Sequence, residues 1–387
     1  MSAAPPKVVF FWRAFLPYHR ARLAAVIAQE QSLGVEVLGL QAVEAPTDYE
    51  FLNDDESLRS ERIAACFPES SLADISARQL FDRAFEILEK IHPIVVFCPA
   101  AAFPEGMAAI NWRARHGGRV YIMDDAWELT DRSGALKRII KRIIHKGVDG
   151  AFAPAEEYKT YWRDYGVPPE RVLTKVHVVD NDAFARPAEW PRFPRFLFVG
   201  RDLPRKGLRV ALAAYARYRQ STDSPWEFHI VGPHDPAAYQ AEGVRLRGAL
   251  HGRKLHEEFW SASAFIMPSD FEQWGLVVNE AMAASLPVIA SRGVGAARSL
   301  IEDEFTGWTF DAQDAARLAS LMISVSRLSA DEMRKVTFAA RKKITAEYSL
   351  DAFIDSVRRG LAMPRRAEPG LLTAIVRRSW TGKIKNY

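Results

Sequence analysis

Two glutamates, Glu272 and Glu280, stand eight positions apart in the stretch Ser269–Ser291, SDFEQWGLVVNEAMAASLPVIAS. Gly275 lies between them, and a glycine lets the backbone approach a bound molecule closely. The pattern predicts that Glu280 opens a helix. Exposed N–H groups at a helix N-terminus suit phosphate, and a carboxylate beside them can accept hydrogen bonds from sugar hydroxyls. Two glutamates at a fixed spacing can equally be solvated surface residues. Which of these holds depends on the elements that carry them.

Those elements read as strands alternating with helices. In the first half, strands are expected at Lys7–Trp12, Val35–Leu40, Ile94–Cys98 and Arg119–Met123. Helices are expected between them at Arg20–Leu33, Ala73–Ile91 and Phe103–His116, with Gly34 and Gly117 as stop signals. Residues 41–68 show no period and read as loop. The segment 185–195, ARPAEWPRFPR, holds three prolines and reads as a linker. The alternation then restarts, with strands at Phe196–Val199, Trp226–Val231, Ala264–Met267 and Pro287–Ala290 and helices at Leu208–Tyr218 and Glu280–Ala284. Strands separated by helices of this length imply βαβ units, hence an α/β chain with two doubly wound parallel sheets. The length of 387 residues suits two such domains. The expected division is 1–188 and 189–349, with about 350–387 packing back on the first. Ligands in such folds bind beyond the carboxyl ends of the strands, here in a cleft expected between the domains.

Composition narrows the class. Hydrophobic residues make up 48% and charged residues 26%, which excludes disorder and coiled coil as whole-chain descriptions. Cys66 and Cys98 cannot build a disulfide framework, and neither has a zinc-like neighbourhood, so a reducing compartment is expected. No apolar run reaches the ~18 residues of a spanning helix, and MSAAPPKVVFFW lacks the marks of a signal peptide. A cytoplasmic protein is expected. The net charge is −4 over residues 1–190 and +8 over 191–387. Residues 364–387 carry six basic residues against Glu368, which calls for an anionic partner there. No nucleic-acid partner is expected.

The Ser269–Ser291 stretch resembles the E-x7-E signature of retaining GT-B glycosyltransferases, family GT4 (glycosyl transferases group 1). Glu272, Trp274, Gly275, Leu276, Glu280, Ala281, Met282, Ala283 and Pro287–Ser291 match its pattern, with Ser285 where the family usually has Gly. Phe196–Gly207, FLFVGRDLPRKG, is similar to the family's G-R-x-x-x-x-K-G segment through Gly200, Arg201, Lys206 and Gly207. Phe228–Gly232 and Leu246–Gly248 resemble strand ends that wall its base pocket, and Thr306–Gly307 its T-G turn. The resemblance is strong over 196–310 and architectural over 1–190.

It implies a GT-B fold, two Rossmann-like domains facing a cleft, and transfer of a sugar from a nucleotide donor to a hydroxyl acceptor, glycan or lipid-linked. Glu280 would bind ribose and Glu272 would face the transferred sugar. Arg201 and Lys206 would neutralise the diphosphate as it leaves. Gly200, Gly232, Gly275, Leu276 and Val277 would line the donor site. No cofactor and no metal are implied, and Glu272 would not be a glycosidase nucleophile. An epimerase-like GT-B enzyme and a catalytically silent binding scaffold are the alternatives.

In the first half, the family's Gly-Gly loop is replaced by Arg13–Arg22, RAFLPYHRAR. His19, Arg20 and Arg22 could reach phosphate or acceptor there, or the arginines could begin a solvated helix face. Asp124 and Asp125 stand near a position where the family has His, so either could hold hydroxyls or accept a proton, Asp125 being the catalytic candidate. Capping a helix is their structural alternative. Asp180–Asn181–Asp182 has the form of a D-x-D metal motif, although the resemblance calls for none. Segments 136–146, LKRIIKRIIHK, and 371–387 combine apolar and basic residues. Each could touch an anionic membrane on its inner face or pack on a neighbouring element.

Overall fold

The computed structural model describes residues 4–44, 61–131, 133–232 and 235–384. The chain divides into unit 1, Met1–Val176 with Leu350–Tyr387, and unit 2, His177–Ser349.

Unit 1 is built on seven parallel strands: β1 (Lys7–Trp12), β2 (Glu36–Val43), β3 (Ile63–Phe67), β4 (Val95–Pro99), β5 (Arg119–Met123), β6 (Gly150–Phe152) and β7 (Val172–Leu173). Their order across the sheet is β3-β2-β1-β4-β5-β6-β7. Val8 to Phe11 are fully buried, as a central strand covered on both faces requires, so apolar residues run on without alternation. Phe10 stacks on Phe97 of β4 at 4.6 Å, and Phe97 meets Phe152 of β6 edge-on at 4.8 Å. The helix Ala77–Ile91 begins with a Ser76–Gln79 capping box and buries Leu80, Ala84 and Leu88, one row at four-residue spacing.

The chain returns to unit 1 in the helix Leu350–Ala362. Tyr121 Oη donates to the Gly360 carbonyl at 2.8 Å, and Ser356 Oγ to Thr174 O at 3.0 Å. Arg119 Nη1 reaches the carbonyls of Leu361 and Met363 at 2.6 and 2.7 Å. Buried Arg113 pairs with buried Asp149 at 2.6 Å and with Glu368 at 3.0 Å.

Unit 2 has six parallel strands: β8 (Arg195–Val199), β9 (Glu227–Val231), β10 (Val244–Gly248), β11 (Ala264–Met267), β12 (Val288–Ser291) and β13 (Gly307–Phe310). Their order is β10-β9-β8-β11-β12-β13. Phe196, Ile230, Ile266 and Ile289 pack with Tyr215 and Met322 in one core. In both sheets the order reverses beside the first strand, between β1 and β4 and between β8 and β11. The crevice outside the carboxyl ends at such a reversal is where doubly wound sheets take ligands.

Several expectations need correction. The Pro-rich segment 185–195 does not separate the units, because it is fastened to unit 2. Trp190 Nε1 donates to Ser261 Oγ at 2.9 Å, Phe193 N to Ser261 O at 2.9 Å, and Arg192 Nη2 to the Ser285 carbonyl at 2.6 Å. The division therefore falls at Val176/His177, ahead of 188/189. The expected helix Arg20–Leu33 is two pieces, Pro17–Ile27 and Glu30–Leu33. Pro17 starts the first, its fixed φ being ready for a helix. The expected loop 41–68 holds the end of β2 and all of β3, while 45–60 lie outside the described residues.

Candidate active site

Glu272 lies just beyond the carboxyl end of β11, on the reversal point of the second sheet. Its main chain is pinned on both sides: its N–H donates to the Gly293 carbonyl at 2.9 Å, and Gly295 N donates to its carbonyl at 3.2 Å. The residue is 8% exposed. A carboxylate so buried needs cations, and two meet the same oxygen, Lys206 Nζ at 2.7 Å and Arg205 Nη1 at 2.9 Å. Burial pulls the Lys206 ammonium below its ordinary value, and Glu272 opposes that pull.

The loop after β8 brings these cations in. Gly200 N donates to Val231 O at 3.0 Å, and Gly232 N to Gly248 O at 2.8 Å, so the ends of β8, β9 and β10 are tied together. Gly207 closes the turn at φ +70°, where a Cβ would stand 2.0 Å from the Pro268 carbonyl oxygen. No other residue lets Lys206 sit this close to β11. Arg201 is half-buried in the same loop, and its charge adds to the depression of Lys206. Arg205 was not singled out from sequence. Its only signal is adjacency to Lys206 in the PRKG turn, and the structure pairs it with Glu272.

Glu280 does not open its helix. The helix runs Leu276–Ala283 and Gly275 caps it at φ +98°, a conformation that favours glycine. The N–H groups heading the helix thus belong to Leu276 and Val277, and Glu280 lies one turn in. It is half-buried, and burial pushes its carboxyl up to about 7. Between the two glutamates the turn is rigid. Trp274 is 1% exposed, its Nε1 donates to Asn279 Oδ1 at 2.9 Å, and Asn279 Nδ2 donates to the His177 carbonyl at 2.9 Å. Ser285, at the position of the family's glycine, holds φ +58°.

In unit 1, Arg22 is buried rather than on a solvated face. It lies over the Tyr18 ring at 5.1 Å, and burial lowers it to about 10 against the pull of Tyr18 and Asp125. His19 stacks on Trp12 at 4.6 Å, with Nδ1 3.0 Å from the Ala14 carbonyl and 3.3 Å from Leu16 N. Arg20 Nε donates to the Phe15 carbonyl at 3.0 Å, so it folds back on its own loop. Asp124 follows β5 and takes the Ala126 N–H at 3.1 Å. It caps this turn, and the next helix starts only at Ala135. Burial first, then Asp125, raises Asp124 to about 6.

Two further groups escaped the sequence reading. Asp131 anchors the loop after Asp125, accepting from Ser133 N at 2.9 Å, Tyr161 Oη at 3.1 Å, Lys141 Nζ at 3.3 Å and Tyr165 Oη. Buried Glu105 pairs with Arg13 Nε at 3.1 Å beside the end of β1. Asp180 accepts the N–H groups of Asp182 and Ala183, and Asn181 Nδ2 donates to the Tyr348 carbonyl at 3.0 Å. The D-N-D triplet is thus the frame of a turn.

Residues 193–327 match the family model described as glycosyl transferases group 1. An amylovoran biosynthesis glycosyltransferase, AmsK of Erwinia amylovora, is 31% identical over 199 residues, 48% of this chain and 46% of that one. A phosphatidyl-myo-inositol mannosyltransferase of Propionibacterium freudenreichii subsp. shermanii is 28% identical over 217 residues, 54% of this chain and 55% of that one. The chain spans about half the length of the curated relatives it matches. The crystal structure of HepE from Anabaena in complex with UDP and glucose is similar with a TM-score of 0.71 at 12% identity, covering 92% of this chain and 99% of that one. The fold is that of GT-B enzymes, and the stretches Gly200–Gly207 and Glu272–Ser291 lie within the residues that match the glycosyl transferases group 1 model.

Proposed function

We propose that the protein is a retaining glycosyltransferase that moves a sugar from a nucleotide-sugar donor to a hydroxyl acceptor in polysaccharide or glycolipid assembly. The observation that carries this reading is the Glu272–Lys206–Arg205 cluster at the strand reversal of unit 2, inside the family segment. A leaving nucleoside diphosphate gains charge as the glycosidic bond breaks. Cations already held in place stabilise it without reorganisation, usually the largest catalytic contribution. Lys206, Arg205 and Arg201 supply them, and the N–H groups of Leu276 and Val277 add a helix N-terminus.

Glu272 holds the cations at rest and faces the sugar as it turns oxocarbenium-like. Glu280 takes the ribose hydroxyls. Asp124, poised near neutral pH, or Asp125 accepts the acceptor's proton. The reaction as read needs neither cofactor nor metal. The UDP bound by HepE makes UDP-sugars the first donors to try. No helix among the described residues is long and apolar enough to cross a membrane. The reading includes a cytoplasmic place of work, next to a lipid-linked or glycan acceptor.

The test is a screen of UDP-, GDP- and ADP-sugars for nucleotide release with and without acceptor, followed by proton NMR of the product. The expected product keeps the donor's anomeric configuration. An inverted product overturns retention. Donor binding without release or transfer would leave a silent scaffold, and conversion of the sugar on its nucleotide would leave the epimerase-like alternative.

A further inference from the structure

The helices Ala135–His145 and Leu371–Ser379 both belong to unit 1 and pack on each other, with Thr373 Oγ1 donating to the Ile143 carbonyl at 3.3 Å. Each leaves large apolar side chains in solvent. In the second, Thr373 and Arg377 are buried while Leu371, Leu372 and Ile375 are 78%, 61% and 56% exposed. In the first, Ile144 and His145 are buried while Leu136 and Ile139 are 72% and 56% exposed. The row 136, 139, 143 follows helical spacing down the first helix. It ends at Ile143, whose carbonyl accepts from Thr373 in the first turn of the second helix.

Single exposed leucines are ordinary. Five large apolar side chains on two touching helices are a patch, and a patch calls for a partner. Its charge says which kind. Neither helix contains an acidic residue, and Arg138, Arg142 and Arg378 are exposed on them. Apolar side chains set among arginines match the boundary of an anionic bilayer, where acyl chains lie under a layer of phosphates.

We propose that this face of unit 1 docks on an anionic lipid bilayer, its leucines and isoleucines entering the acyl boundary and its arginines meeting lipid phosphate. The inference does not depend on the chemistry of unit 2, and the two can fail separately. The test is flotation of the full chain with vesicles of phosphatidylglycerol and phosphatidylcholine, and with phosphatidylcholine alone. The chain is expected to float with the anionic vesicles and to come off as salt rises. Leu371→Ser/Leu372→Ser/Ile375→Ser is expected to cut partitioning by at least about tenfold. Arg138→Gln/Arg142→Gln/Arg378→Gln is expected to cut it by about fivefold for each charge removed. Unchanged thermal midpoints and unchanged circular dichroism show that these variants are folded. A wild-type chain that stays in solution beside anionic vesicles overturns the proposal, as do folded variants that float like the wild type. So does a wild-type dimer that the apolar variant turns into a monomer, because the face then belongs to a second copy.

Discussion

In unit 2, the buried carboxylate of Glu272 shares one oxygen between Lys206 and Arg205. In unit 1, half-buried Asp124 has a second carboxylate, Asp125, as its strongest charged neighbour. Burial is common to both, and the neighbours decide the outcome. Two cations pair with Glu272, whereas Asp124 is raised to about 6. The cation that opposes this rise is Lys141, which also pairs with Asp131 at 3.3 Å. One unit stores positive charge where a diphosphate would leave. In the proposed reaction the other supplies Asp124, a carboxyl raised to about 6, as the proton acceptor.

The largest effect should come from breaking the charged side. Lys206→Ala is expected to lower donor turnover by about 10²–10³-fold, measured as nucleotide release. Arg205→Ala should do less, since Lys206 remains on Glu272. Wild-type turnover in both variants breaks the comparison. Asp124→Asn comes next, with a loss of about 10²-fold. A base must be deprotonated to act, so the wild-type rate should rise with pH through about 6. The asparagine variant should lose that limb, and an unchanged limb removes Asp124 from the chemistry.

Glu280→Gln should raise the donor KM by about tenfold and leave kcat within a few-fold, the mark of a contact to a part of the donor that does not react. It also carries a stability signature. The folded pKa of Glu280 is about 7, above the ordinary 4.5. The folded state therefore binds this proton more tightly than the unfolded state. The contribution of Glu280 to stability should fall as pH rises from about 4.5 to 7, and the wild type should lose stability over that window relative to the glutamine variant. Urea unfolding at pH 5 and pH 8 reads this slope, which the glutamine variant should lack. The smallest effect belongs to the backbone. Ser285 sits at φ +58°, where a side chain costs energy that glycine does not pay. Ser285→Gly should stabilise unit 2 by about 0.5–1 kcal/mol in calorimetry and leave turnover alone.

The two halves were not equally readable. β1, β4, β5 and β11 were legible because each is a short apolar run between turn signals. β6 and β7, three and two residues long, are too short to show a period. Glu272, Glu280 and Lys206 could be named from spacing and resemblance. The true start of the Leu276–Ala283 helix could not, because it rests on the conformation of Gly275. Arg205 was hidden for another reason: in a loop, which of three basic residues reaches a carboxylate depends on turn geometry. Asp131 and Glu105 are fixed by partners 30 and 92 positions away, Tyr161 and Arg13, and local pattern carries no such information. The segments 136–146 and 371–387 were visible as amphipathic, but the exposure of Leu136, Ile139, Leu371, Leu372 and Ile375 was not.

Because the chain returns at Leu350, the second unit is nested inside the first, and this orders events during synthesis. Arg119 and Tyr121 lie on a strand made early, yet their carbonyl partners follow 242 and 239 residues later. Unit 2 has all of its own sequence by Ser349 and can close first. The sheet of unit 1 must wait, with buried-to-be polar groups still open to water, for the helix Leu350–Ala362, which is translated after the whole of unit 2.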